Sequence, residues 1–263
     1  MEHISLDLTK YKRFFAFGCS FTDYHWPTWA DIIGGEFPNQ YFNFGNTGSS
    51  NDFIFRSVIE ANQIHNFQPD DLIIIQWTEF LRDTGWRPDS GLSGCGSILQ
   101  NHQYTIYTEE HFQKLDPREF IKRDLEYIKT ATTFLKHCNV DYFMFSMNNA
   151  TNPDGAYIRP DLGPLIDFYR DVVDELFPSF EETVKWADQP GVKTSQYGWL
   201  DNHPSPAMHL THLLTIFPNL KIKDETIDLV NNVENKLRNG NGAESVPMFT
   251  KIKAPRWIWH RSS

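Results

Sequence analysis

Four short stretches of the chain, residues 14–17, 41–44, 72–76 and 142–146, are apolar almost without interruption. Continuous rather than alternating runs of this length predict strands covered on both faces, as in a parallel sheet. Helical patterns lie between them. Pro27 opens one that runs through Trp29, Ile32 and Ile33, and residues 51–64 carry Phe53, Ile54, Val58 and Ile59 on one side. The clearest has Ile121, Leu125, Ile128, Thr132 and Leu135 at spacings of four and three, an amphipathic stripe. Two more helices are predicted from Pro206 to about Phe217 and over residues 223–238. Strands alternating with helices imply right-handed crossovers, and therefore an α/β fold wound on both faces of the sheet.

Residues 84–114 break this rhythm. They hold Gly85, Pro88, Gly91, Gly94 and Gly96, then a run from Tyr104 to Tyr107 that is expected to form a small hairpin. A long insertion after the carboxyl end of a strand predicts a lid over a ligand cleft. Residues 149–163 form a second loop rich in Asn, Pro, Asp and Gly, and Asn239-Gly-Asn-Gly242 precedes a tail containing Trp257 and Trp259. The expected organisation is one α/β domain over residues 1–217 and a C-terminal helix and tail over 218–263.

Composition narrows the function. A chain of 263 residues supports one large core, and 15% aromatic residues, among them 21 Phe, make that core rich in rings. A formal charge of -10 argues against nucleic-acid recognition, which needs a basic surface, but leaves neutral and sugar-like substrates open. Three cysteines make no disulfide framework and fit a reducing compartment. The first ten residues lack the apolar block of a signal peptide, and no apolar run approaches membrane-spanning length. A cytoplasmic location without membrane association is the expectation, and the oligomeric state is left open.

Candidate chemistry lies at the two ends of the pattern. The first predicted strand stops at Gly18 and delivers Ser20 into a turn, Gly18-Cys19-Ser20-Phe21-Thr22. Ligands of open parallel sheets bind beyond the carboxyl ends of the strands. Far along the chain, Asp201-Asn202-His203-Pro204-Ser205-Pro206 sets a carboxylate two residues before an imidazole, ahead of a helix. A serine becomes a nucleophile when a histidine takes its proton, and a carboxylate fixes that histidine's tautomer. Between them, Gly45-Asn46-Thr47-Gly48-Ser49-Ser50-Asn51 is a glycine turn with capping residues for the next helix. Gly48 is able to aim a backbone N–H at an oxyanion there, while a plain turn explains it equally well. His209 and His212 with His203 admit a metal cluster as a weaker alternative, because no carboxylate or cysteine completes a familiar spacing.

The order of Gly-x-Ser on the first strand, a glycine turn after the second, and a late Asp/His motif followed by Pro-Ser resembles the SGNH (GDSL-type) hydrolases across about residues 12–215. The resemblance implies a flavodoxin-like three-layer α/β/α sandwich with a central parallel sheet. It implies Ser20 as nucleophile, His203 as base and Asp201 as its orienting partner, with the N–H groups of Ser20 and Gly48 in the oxyanion hole. The sequence departs from that family in three places. Cys19 stands where the family has Asp beside the serine, and Asp-x-His replaces Asp-x-x-His, a spacing similar to that of alginate O-acetylation proteins. The third block, normally Gly-x-Asn-Asp, reads Gln76-Trp77-Thr78-Glu79. Thr78, Asn148 or Asn149 are then the candidate third donors, and Glu79 with Arg82 a loop-holding ion pair.

The function expected is a serine esterase or O-acyltransferase for small oxygen esters, an acetylated carbohydrate among them. Trp77, Trp86, Tyr104 and Tyr107 are candidate sugar-stacking rings, with plain packing as the competing role. No cofactor and no metal is called for. The alternative is a binding or structural protein of the same fold that has lost catalysis, its Trp257–Trp259 segment docking into a larger assembly.

Overall fold

Successive residues of strand β1 (Arg13–Phe17) enter opposite layers, because side chains alternate across a sheet. Phe14 and Ala16 join one buried cluster while Phe15 and Phe17 join the other. Strand β3 (Asp71–Trp77) does the same, sending Leu72 and Ile74 one way and Ile73, Ile75 and Trp77 the other. Both faces therefore need cover, and fully burying each such ring or branched chain stabilises the fold by about 1.5–3 kcal/mol.

The computed structural model describes residues 5–80, 82–87, 91–97, 110, 114, 116–150, 162–189, 191–193, 200–239 and 252–253. The remaining strands are β2 (Tyr41–Asn43), β4 (Arg82–Arg87), β5 (Gly91–Ser97), β6 (Asp141–Ser146), β7 (Val192–Lys193), β8 (Leu200–Asp201) and β9 (Ile252–Lys253). Helices are α1 (Trp29–Gly34), α2 (Asn51–His65), α3 (Pro117–Cys138), α4 (Gly163–Phe168), α5 (Arg170–Val173), α6 (Phe180–Val184), α7 (Pro206–Ile216) and α8 (Asp224–Arg238).

The main sheet is parallel throughout, in the order β6-β3-β1-β2-β9. One face carries α2 and α3, whose Ile54, Val58, Ile121, Leu125, Ile128 and Leu135 pack on Phe15, Phe17, Ile73 and Ile75. The other carries α1, α7 and α8 through Ile32, Ile33, Leu213, Ile216 and Val230 against Phe14, Ala16, Leu72 and Phe145. This is a three-layer α/β/α sandwich. Over β2, β1, β3 and β6 it follows the flavodoxin-like order. Beyond β6 the next strand is reduced to a single parallel bridge between Phe145 and Phe177. The chain's last described segment, β9, instead extends the opposite edge beside β2.

The predicted long elements appear where the periodicity puts them, with ends shifted by a residue or two. The insertion differs. Instead of being left irregular by its glycines, residues 82–87 and 91–97 pair as the antiparallel strands β4 and β5, with Trp86 opposite Leu92. Pairing supplies the backbone hydrogen bonds that glycine's lack of intrinsic strand preference does not discourage enough to prevent. The hairpin expected at Tyr104 to Tyr107 lies outside the described residues, as do Trp257 and Trp259. Helices α4, α5 and α6 were not anticipated, since four to six residues are too few to show a period. Among the described residues, no helix is long and apolar enough to cross a membrane.

Candidate active site

At the carboxyl end of β1 the chain must turn sharply, and Gly18 makes room for it. A Cβ there would collide with Thr22 Oγ1 and come within 2.8 Å of Gln76 Oε1. Residues 19–23 then form a tight turn, with the N–H groups of Thr22 and Asp23 donating to the Cys19 carbonyl at 2.9 and 3.2 Å. Gln76 at the end of β3 anchors that turn from below. Its Oε1 accepts from the Cys19 N–H and from Thr22 Oγ1, each at 3.3 Å. Ser20, only 4% exposed, is held at the top of this turn.

The partner motif arrives from 183 residues away. Asp201 ends β8, and its Oδ1 accepts both the His203 backbone N–H at 2.9 Å and the His203 ring at Nδ1, 2.7 Å. That bond puts the ring proton on Nδ1, which leaves Nε2 to accept the Ser20 hydroxyl at 2.9 Å. The Trp26 indole N–H donates to the Pro204 carbonyl at 2.9 Å and ties this loop to the one after β1. Pro206 then starts α7. Ser20, His203 and Asp201, all anticipated from sequence, thus form one continuous hydrogen-bonded chain.

Burial pulls the Asp201 carboxyl upward, but hydrogen bonds from the His203 ring, the Tyr24 hydroxyl and the His203 N–H outweigh it and bring the group down to about 2. The carboxylate is therefore ionised at any pH at which the histidine serves as a base. Tyr24 was missed in the sequence. Its hydroxyl donates to Asp201 Oδ2, and its ring stacks on the His203 imidazole with centroids 4.0 Å apart. The only sequence signal was its place in the turn after Ser20.

The neighbouring strand ends differ in what they offer. Gly48 adopts φ 79°, a left-handed conformation that favours glycine. Among the described residues, neither its N–H nor that of Ser20 is engaged in a hydrogen bond. Thr78, one strand over in β3's exit, spends its N–H on Asn51 Oδ1 at 2.8 Å, so only its hydroxyl is left to donate. That hydroxyl is buried and has no partner among the described residues. Asn148 follows β6, two strand spacings or about 10 Å from β1. Its carbonyl accepts from Ser146 Oγ at 2.5 Å, and its buried Oδ1 has no hydrogen-bond partner among the described residues. Asn149 bonds to Glu181 and Glu182 instead. Glu79 and Arg82 form the expected ion pair, 3.4 Å apart.

One expectation is corrected, and the weaker metal alternative is answered by packing. Trp77 is no stacking platform: it is 0% exposed, packed in the α2–α3 layer, with its indole N–H directed at Met144 Sδ. Residue parity decides this, since Trp77 shares the inward face with Ile73 and Ile75. The histidine cluster is likewise packing. His212 stacks on Phe180 with centroids 3.9 Å apart and bonds Thr183 Oγ1 through Nδ1 at 2.7 Å. His209 meets Phe21 and Phe180 edge-on. Burial lowers His212 to about 3 and His209 well below its ordinary value, so both are neutral. Among the described residues no group of three or more His, Cys, Asp or Glu is arranged to hold a metal ion. The side chain of Trp86 and the whole of Tyr104 and Tyr107 lie outside the described residues. A charged hollow of about 590 Å³, lined by Lys12, Arg13, Gln40, Gln68 and Asp70, lies at the amino end of β1, away from Ser20.

No family model matches the sequence, and no curated protein matches it either. Among solved structures, the chain is similar to a member of the lipolytic protein G-D-S-L family from Veillonella parvula DSM 2008. The two share 17% identity over 79% of this chain and 99% of that one, with a TM-score of 0.43.

Proposed function

We propose that the chain is a serine esterase or O-acyltransferase acting on small oxygen esters. The observation that carries this reading is the unbroken path from Ser20 Oγ to His203 Nε2 at 2.9 Å and from His203 Nδ1 to Asp201 at 2.7 Å. A decayed site would have no reason to keep a serine, the free imidazole nitrogen and an ionised carboxylate in line. The motif order shared with SGNH hydrolases points the same way.

In this mechanism the Ser20 oxygen attacks the ester carbonyl carbon while its proton passes to His203 Nε2. The imidazolium so formed faces the Asp201 carboxylate across Nδ1. The negative charge gathering on the carbonyl oxygen meets the N–H groups of Ser20 and Gly48, and the Thr78 hydroxyl replaces the missing asparagine as third donor. When the tetrahedral intermediate collapses, the alkoxide leaving group takes the proton from Nε2 and the acyl group stays on Ser20. Water, or the hydroxyl of an acceptor, then loses its proton to His203 Nε2 as it attacks the acyl carbon, and when this second intermediate collapses Nε2 returns the proton to the departing Ser20 oxygen, releasing the acid or the new ester.

The test is hydrolysis of short-chain activated esters together with labelling by a serine-directed phosphonate. The wild type is expected to turn over and to be labelled at Ser20, and Ser20→Ala to lose both. An unlabelled, inactive wild type across a broad acyl panel would favour the binding-protein alternative.

A further inference from the structure

We propose that Tyr24 is a positioning residue of this site, holding the Asp201–His203 pair in register through its hydroxyl and its ring at once. The inference rests on the catalytic reading above for its meaning, and on the geometry alone for its existence.

The need for such a group follows from the short Asp-x-His spacing. With one residue between them, Asp201 Oδ1 must serve both the His203 N–H and the His203 ring. Both bonds fall on a single oxygen, which leaves the carboxylate free to swing about that oxygen and lets Oδ2 be claimed by solvent. Tyr24, from the turn after β1, donates its hydroxyl to Oδ2 and fixes the carboxylate plane. The same ring lies nearly parallel to the imidazole, 22° between planes, and shields one face of it from water. Phe21 meets the imidazole edge-on with centroids 5.9 Å apart. The imidazole is thus oriented by one carboxylate oxygen and two rings, all tied to the turn that carries Ser20.

Tyr24 is itself held. Its ring meets Trp26 edge-on at 4.7 Å, and Trp26 is fully buried against Val233 and Leu237 of α8 while its indole N–H pins Pro204. A tyrosine whose only task was to fill space would not need its hydroxyl aimed at the one free carboxylate oxygen. Burial and the Asp201 bond both push that phenol's ionisation upward, so it remains a donor across the working range. Two effects on catalysis oppose each other. The phenol bond draws charge from Asp201 and weakens its pull on the imidazolium, whereas the stacked ring face favours a cation.

The two effects separate by substitution. Tyr24→Phe keeps the stack and removes the bond, whereas Tyr24→Leu removes both. Proton NMR of the full chain reads the Nδ1–H resonance of His203, assigned by its loss in His203→Gln, and does so whether or not the protein turns over an ester. In Tyr24→Phe that resonance is expected to move further downfield, as the released carboxylate accepts more strongly. In Tyr24→Leu it is expected to broaden by exchange with water. With an ester substrate, kcat should fall about tenfold in Tyr24→Phe and about a hundredfold in Tyr24→Leu, KM staying within twofold, and the acid limb of the Tyr24→Phe profile should move to higher pH. Folded variants with an unchanged resonance would overturn the proposal. A shifted resonance in a protein that hydrolyses nothing would uphold Tyr24's role and defeat the esterase reading.

Discussion

Asp201 and Asp124 both lie beyond the carboxyl ends of the strands, one half-buried and one fully buried, and they are treated in opposite ways. Among the described residues Asp201 has no arginine or lysine beside it, yet its hydrogen bonds hold it ionised, down to about 2. Asp124 on α3 pairs with Arg123 at 3.0 Å and accepts from Asn51 at 2.9 Å, yet burial pushes it up to about 7. Depth decides the difference. Asp124 is fully enclosed, where losing water costs more than one cation and one amide return. Asp201 keeps some contact with solvent and collects several donors. The corner with Asp201 is built to keep a charge. The corner with Asp124 is built to hold chain: Asn51 clamps the Thr78 backbone, and Arg123 grips Asp83 and the Arg82 carbonyl at the root of the hairpin.

The strongest way to break this comparison is to neutralise each carboxylate in turn. Asp201→Asn keeps the shape but lets the His203 ring take the wrong tautomer, and kcat on an activated ester should fall by about 10⁴. Asp124→Asn should leave kcat within a few fold. Equal losses in the two variants would show that both corners serve the chemistry.

A second variant separates the clamp from the donor. Thr78→Val removes a buried hydroxyl that has no partner among the described residues, so the folded state loses nothing and melting should be unchanged or slightly raised. If that hydroxyl stabilises the oxyanion, kcat should drop by about 10² with KM unchanged. Unaltered kcat would leave the hole with its two backbone donors.

The pH dependence of stability carries opposite signs at the two corners. The folded Asp201 group is depressed, so its contribution is present above about pH 4, the usual carboxylate value, and fades as pH falls toward about 2. The folded Asp124 group is raised, so its contribution is full below about pH 4 and is lost as pH rises through about 7. Thermal melting of Asp124→Asn should therefore gain on the wild type by a few degrees between pH 4 and 8. A constant offset across that range would contradict the assignment.

The smallest effect is expected behind the site. His212 is neutral when folded, and protonating the unfolded chain pulls against it, so stability should decline as pH falls from about 6.5 toward about 3. His212→Phe should weaken that decline while costing about 1 kcal/mol at neutral pH for the Thr183 bond. Chemical denaturation at pH 4.5 and 7.5 measures both.

What the sequence by itself determined is what repeats or punctuates locally. Buried strands such as β3 declare themselves by unbroken apolar residues, α3 by its spacing of three and four, and the site's ends by Gly18 before Ser20 and Asp201 before His203. Only the tertiary structure decided which polar groups meet. Tyr24 reaches Asp201 across 177 positions, and Asn51 reaches Asp124 across 73, because strand order brings those loops together. The same packing turned Trp77, His209 and His212 from candidate chemistry into core, since side-chain parity and helix rotation, not residue type, set whether a group faces the cleft or the layer beneath it. Local free energies are written along the chain. The pairing of buried donors with buried acceptors is settled only when the layers close.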